Sequence, residues 1–139
     1  MAVITASIQI TTQGDGDIHD ITTDVARGLV QSGLKNGIIT VFCPSATSAL
    51  TTIEYETGCL SDFKRLFDEM IDPNRFYAHN ARWGDGNGHS HIRSALLGPS
   101  MTVPFSEGRM TLGTWQQIIL IDFDNRPRQR KLVVQIIGE

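Results

Sequence analysis

The sequence predicts a single domain that combines β-strands with α-helices. Its 139 residues are close to the commonest domain size and long enough to bury a real core. Several stretches are β-branched or alternate apolar with polar residues, the period of a strand. Others repeat apolar residues at helical spacing.

Strands are expected over 1–10, 38–43, 47–55, 100–105, 109–123 and 130–138. Val3-Ile4-Thr5 and Val133-Val134-Gln135-Ile136-Ile137 show the β-branched enrichment. Ile118-Ile119-Leu120-Ile121 is apolar on both faces, which places it centrally in a sheet. In a first helix Ile21, Val25 and Leu29 repeat every four residues, with Asp20 or Thr22 as N-cap and Gly33 as stop. In a second, Phe63, Leu66, Phe67, Met70 and Ile71 form one apolar stripe, with Ser61 as cap and Pro73 beyond the end. A third, short helix is expected from Ser90 to Leu97, ended by Gly98. Between them, Asp72 to His89 is polar and rich in turn formers, and reads as a long loop.

Composition narrows the function. Apolar residues make up 40% and charged residues 19%, which excludes a disordered chain. A net charge of −3 argues against nucleic-acid binding, which draws on a basic face. Arg126-Pro127-Arg128-Gln129-Arg130-Lys131 is a local basic patch, without aromatic residues beside it for stacking on bases. No apolar run approaches the about 20 residues that cross a bilayer, so no membrane partner is expected. The first ten residues do not read as a signal peptide, and two cysteines make no disulfide scaffold. A soluble, cytoplasmic, reduced protein is expected. Cys43 and Cys59 read as small packing residues.

Three of the four histidines, His79, His89 and His91, fall in or beside the long loop. In an extended segment residues two apart share a side, so His89 and His91 would reach one ion. The Gly-Asp-Gly-Asn-Gly run before them favours that reading. His79 would return as the third ligand. Three imidazoles with an open water position suit zinc, and imidazole suits other divalent metals. The plainer reading is three loop histidines on the surface.

Asp85 would orient a ligand or act as a base, or simply form the Asp-Gly turn. Glu54 ends a largely apolar and hydroxyl-bearing run, and is either a solvent carboxylate or a second base. Ser45 and Thr47 lie in a small, hydroxyl-rich turn able to hold an anion. Trp115 and Gln116 follow Gly113 inside a strand pattern, where a glycine often marks a bulge or a ligand's close approach. Arg126 opens the basic patch, and a guanidinium suits phosphate because its planar fork makes two parallel hydrogen bonds.

Several stretches in order resemble one family. They are Pro44 to Glu56, Tyr77-Ala78-His79-Asn80, Asp85-Gly86-Asn87-Gly88-His89-Ser90-His91, Leu97-Gly98-Pro99-Ser100, Gly113-Thr114-Trp115-Gln116 and Arg126-Pro127-Arg128. Over essentially its whole length the chain resembles the YjbQ-like family, also called the secondary thiamine-phosphate synthase family. The resemblance implies a single α+β domain over 1–139, with a β-sandwich-like core of mixed sheets, two main helices and a homotrimeric assembly. It implies histidines that hold a metal, often zinc, near the subunit boundary. It also implies a weak thiamine-phosphate synthase activity, which joins a pyrimidine pyrophosphate to a thiazole phosphate and releases pyrophosphate. His79 and His91 carry over from the family pattern. Many members have His-Thr where Ser45-Ala46 stands here, and His89 is the local substitute for that ligand.

Two functions are therefore expected. One is a metal-dependent enzyme acting on a phosphorylated small molecule. It would use His79, His89 and His91 for the metal, Asp85 or Glu54 as base, and Ser45, Thr47, Trp115, Gln116 and Arg126 around the ligand. The other is a non-catalytic trimer that binds a metal or an anion through the same residues.

Overall fold

A computed structural model describes residues 1–139. In chain order the elements are β1 (Ala2–Thr12), β2 (Asp17–Asp20), α1 (Thr22–Ser32), β3 (Gly37–Phe42), β4 (Ser48–Ile53) and α2 (Thr57–Met70). They continue with α3 (Ala78–Trp83), α4 (Gly88–Leu97), β5 (Ser100–Ser106), β6 (Arg109–Met110), β7 (Gln117–Asp122) and β8 (Arg128–Gly138). The fold is α+β, and its two sheets are antiparallel throughout rather than mixed as expected. The larger sheet runs β1-β8-β3-β5-β6 and the smaller runs β2-β7-β4. None of the helices is long and apolar enough to cross a membrane.

Strand alternation sets the two apolar layers. On β8, Leu132, Val134 and Ile136 turn inward, to meet Ile39, Val41, Val103 and Phe105 from the same sheet. Ile118 and Leu120 of β7, Leu50 of β4 and the α1 stripe Ile21, Val25 and Leu29 close this layer. The other face of β7 offers Ile119 and Ile121, which join Phe123, Ala49, Phe67 and Ile71 under α2. The central place expected for Ile118–Ile121 is the one it occupies, with β2 and β4 on either side.

The structure adds the short strand β2, which the sequence reading did not include, starts β8 at Arg128 rather than 130, and differs from it at three further places. The expected strand 109–123 is two strands, because a turn closes between them. The Gly113 N–H donates to Gln116 Oε1, and the Gln116 N–H donates to the Gly113 carbonyl. The second helix starts earlier than Ser61, because Glu56 caps it by accepting from the N–H groups of Gly58 and Cys59. The long loop contains α3, and α4 begins at Gly88 rather than Ser90.

The α3–α4 corner depends on a close approach. Gly88 takes an N–H bond into Asn80 Oδ1, and a Cβ added at Gly88 would lie 2.6 Å from Tyr77 Cβ. Ser90 Oγ donates to the Phe123 carbonyl. Arg93, buried at 6% exposure, donates to the Ile71 carbonyl at the end of α2. These bonds fix α4 across the end of β7.

Two predictions follow from this packing. Asp122 is fully buried and Arg130 Nε donates to it at 2.7 Å. Removing the carboxylate in Asp122→Ala takes away the main partner of the half-buried Arg130 guanidinium, which keeps Thr47 and the nearby Asp124, so urea unfolding should show a loss of about 2–4 kcal/mol. A loss below about 1 kcal/mol would mean that the pair is solvated. Gly88→Ala should lower the melting temperature by several degrees, because the backbone at Tyr77 cannot yield to the new methyl.

Candidate functional site

The carboxyl end of β7 emerges beside the start of β8 and the turn before β4. This junction carries most of the buried polar groups of the chain. Asp122 and Asp124 are both fully buried. Both lie in phase with Ile118 and Leu120, so they point toward the larger sheet. Arg128 and Arg130, in phase with Leu132, point back at them.

The bonds are specific. Arg130 holds Asp122 through Nε and Nη2, at 2.7 and 2.9 Å. Its Nη2 also donates to Thr47 Oγ1 at 2.8 Å. Thr47 Oγ1 in turn donates to Asp124 Oδ2 at 3.0 Å. Arg128 reaches Asp124 through Nε and Nη2, both at 2.8 Å, which leaves its Nη1 without a protein partner. Thr12 Oγ1 donates to Asp122, and Asn87 Nδ2 donates to Asp124.

Burial opposes the charge on Asp124, but hydrogen bonds from the Asn125 N–H, Asn87, Thr47 and Arg128 outweigh it. They hold the carboxyl below its ordinary range. Burial likewise works against the Arg130 cation, and the bond to Asp122 overcomes it and raises the pKa.

Above this charged floor opens a cleft of about 520 Å³. Its walls are Ser45, Ala46 and Thr47 on one side, and His79, Trp83, Asp85, Asn87 and His91 on the other. The His79 and His91 rings lie 4.4 Å apart between centroids. His79 Nδ1 is buried without a hydrogen-bond partner, 3.4 Å from Asp85 Oδ1. Burial and the neighbouring His79 push the His91 pKa down, so His91 is neutral at pH 7. Asn87 Oδ1 is a second buried atom without a partner.

The structure brings together Ser45, Thr47, His79, Asp85 and His91 of the residues read from sequence. It does not bring in the others. His89 stands on α4, where residues two apart diverge by about 200°. It turns away from the cleft, buried with its ring 6.2 Å from that of Tyr77. The extended His-x-His segment is therefore corrected to a helix start, and the three-histidine set is not assembled. No three His, Cys, Asp or Glu side chains converge as a ready metal site.

Glu54 is exposed beyond the far end of β4, roughly 20 Å from Thr47 by strand length. Trp115 is 72% exposed, and Gln116 donates to Thr52 near that same far end. Arg126 is exposed in the turn before β8 and does not line the cleft; Arg128 and Arg130 take the place assigned to it. Asp122, Asp124 and Asn87 escaped the sequence reading, and Arg128 and Arg130 entered it only as part of the basic patch. The signal that finds them is phase: charged residues continue the inward rows of β7 and β8.

The α+β fold with two antiparallel sheets places the chain in a class of small single-domain proteins. The model of the family described as UPF0047 protein, YjbQ-like, matches residues 6–139, and the chain belongs to this YjbQ-like family. A UPF0047 protein of Methanothermobacter thermautotrophicus is 39% identical over 139 residues, covering 100% of this chain and 95% of the relative. A YbjQ-like protein of unknown function from Sulfolobus solfataricus superposes with a TM-score of 0.94 at 33% identity, over 99% of each chain. A YjbQ/UPF0047 protein from Clostridium acetobutylicum gives a TM-score of 0.87 at 32% identity, over 95% of this chain and 99% of that one.

The histidines set a pH dependence. Burial, and secondarily Arg93, lowers the His89 pKa, as burial and His79 lower that of His91. A histidine depressed in the folded state contributes stability above its unfolded pKa of about 6.5. That contribution is lost as pH falls through the folded value. With chelator present, the urea midpoint should be flat above pH about 6.5 and fall toward pH 5. His89→Gln should flatten that slope; an unchanged slope would show that His89 does not titrate with unfolding.

Proposed function

We propose that the cleft binds a phosphorylated small molecule together with a divalent cation. The observation that carries this reading is the charge balance of the cleft. Two guanidiniums, Arg128 and Arg130, and two carboxylates, Asp85 and Asp124, line it, and Asp122, buried beneath and bonded to Arg130, adds a third carboxylate. Among these five groups one negative charge is left over. A phosphate ester would be repelled there unless a cation entered with it.

Two imidazoles and a carboxylate are the donors at hand. Neutral nitrogen ligands suit zinc and related metals. His79 Nδ1 and Asp85 Oδ1 stand 3.4 Å apart, and the unpartnered Nδ1 is a donor atom awaiting a partner. His79 and His91 would hold the ion with Asp85 beside them. The cation would polarise a phosphate oxygen.

The chain's own residues would do the rest. Arg128 Nη1 and the Ala46 backbone N–H would offer donors to phosphate oxygens, while the Ser45 and Thr47 N–H groups are bonded to the Cys43 carbonyl and Ser45 Oγ. Thr47 and Asp124 hold Arg128 and Arg130 in place. Asp85 would orient His79 or accept a proton. The family resemblance supplies the particular reaction: transfer of a pyrimidine from its pyrophosphate to a thiazole phosphate. It also supplies the homotrimer. Exposed apolar side chains, Ile92 at 52%, Leu96 at 61% and Trp115 at 72%, are surface that such an assembly would cover.

Titration calorimetry with zinc should give about one ion per chain in the wild type. His91→Ala should lose it and His89→Gln should keep it. Zinc binding that survives both His79→Ala and His91→Ala would overturn the assignment. Methyl phosphate should bind measurably only with zinc present, and Arg128→Met should weaken it about tenfold or more. Release of pyrophosphate from the two thiamine precursors, lost in Arg128→Met, would make the protein a transferase. Binding without release would leave a non-catalytic metal- and anion-binding protein. Sedimentation at micromolar concentration should show a trimer.

A further inference from the structure

We propose that β1 is a docking edge for a second copy of this chain, joined strand to strand about a two-fold axis at Ser7. The proposal stands apart from the metal, the phosphate and the trimer discussed above.

A sheet edge is a row of unpaired N–H and C=O groups, and it templates another strand unless the protein protects it. Three edges of this fold are protected. β6 has two residues and β2 has four. The Leu50 N–H of β4 donates to the Gly98 carbonyl, so the chain itself lies along that edge. β1 is different. It ends the order of the larger sheet and pairs on one side only, with β8. Its eleven residues, Ala2 to Thr12, include no charged residue, no proline and no glycine. Its register with β8 runs unbroken from the Ala2–Gly138 pair to the Thr12–Arg128 pair, without a bulge to twist the edge away. None of the usual safeguards is present.

The core is also unfinished along β1. Ile4, Ala6, Ile8 and Ile10 face inward yet stay only half-buried. A groove of about 280 Å³ runs between this row and α1, with Ala6, Ile8 and Val134 as its floor and Asp24, Arg27 and Gly28 on its rim. An added strand would cover the row and hydrogen-bond every free N–H of the edge.

A second β1 fits this edge because the strand is self-complementary. Ser7 is the midpoint of Ala2–Thr12, so antiparallel pairing centred there overlaps the two strands over their whole length. Ile4 then meets Ile10 and Ala6 meets Ile8 on the inner side. On the outer side Thr5 meets Gln9, and the two Ser7 residues face each other. No like charges are opposed, since the strand carries none. The two-fold brings both α1 helices to the same side of the joined sheet. Each carries an Asp24–Arg27 ion pair at the rim, so both signs of charge meet across the axis. A ladder about 36 Å long and about 10 Å deep, flanked by the two helices, hides on the order of 1,000 Å² in total. That is where specific interfaces begin, and it implies an association that concentration drives.

Sedimentation of the full chain tests this. Between about 1 and 200 μM the wild-type mass should double, whatever assembly is present at the lower concentration. Ser7→Lys, at an exposed position, puts two ammonium groups face to face and should abolish the doubling. An equal mixture of Ser7→Lys and Ser7→Glu should restore it. Oxidation should link Ser7→Cys into covalent pairs. It should not link Thr5→Cys, whose two copies lie about 13 Å apart in this register, nor the wild type. Because this readout needs no change of charge, it holds even if the lysine variant folds poorly. A mass that never doubles, or doubles equally in Ser7→Lys, would overturn the pairing. A trimer that falls to monomers in Ser7→Lys would place β1 in a three-fold contact and overturn the two-fold. Cross-linking of Thr5→Cys in preference to Ser7→Cys would overturn the register. Zinc and methyl phosphate binding report on the cleft separately, and either result there leaves this inference standing.

Discussion

Two carboxylates buried at the end of β7 constrain everything around them. Asp122 and Asp124 have no exposed surface, and a lone buried charge is strongly unfavourable. Each must therefore be met by cations and N–H or O–H donors. Arg130 and Arg128 come from β8 in the larger sheet, and Thr12 from β1 beside it. Thr47 comes from the turn before β4, and Asn87 from the turn before α4. The requirement for neutralisation thus draws five segments to one point. The cleft opens where they meet, because the same donors that satisfy the carboxylates also line its floor.

The histidines are positioned by a second constraint, the steric contact between Gly88 and Tyr77. Only a residue without a Cβ lets the start of α4 approach α3 this closely. From that contact the helical period does the sorting. His91 faces α3 with its ring tilted against that of His79, while His89 faces inward beside Tyr77. Ser90 bonds the Phe123 carbonyl, and so ties this sorting to the end of the same strand that bears the carboxylates. Arg93 secures the opposite side of the helix on α2, where its guanidinium also lies near the Phe67 and Phe123 rings. One short helix therefore joins the charged floor, the histidine wall and the apolar recess around Ser94.

Charge and apolarity are segregated along this cleft. The Arg–Asp floor is polar because it lies at strand ends, where side chains leave the core. The recess lined by Ala46, Ile92, Ala95 and Pro99 is apolar because it lies between α4 and the turn after β3.

The sequence by itself determined the elements whose signal is local. The i, i+4 stripe of Ile21, Val25 and Leu29 made α1, and the two-faced apolarity of Ile118–Ile121 marked β7 as a central strand. The same holds for the Ser45–Thr47 turn and for the clustering of His79, Asp85 and His91, which all reach the cleft. Tertiary structure decided the rest, because the deciding contacts are distant in sequence. Glu54 and Trp115 carry residue types suited to a site, yet strand geometry sends them to the far end of the smaller sheet. His89 was paired with His91 by spacing, and the packing of Gly88 on Tyr77 wound that spacing into a helix and parted them. Asp122 and Asp124 became the centre of the site only because β8 returns Arg128 and Arg130 across the core. No local pattern encodes the meeting of two strands; burial of opposite charges does.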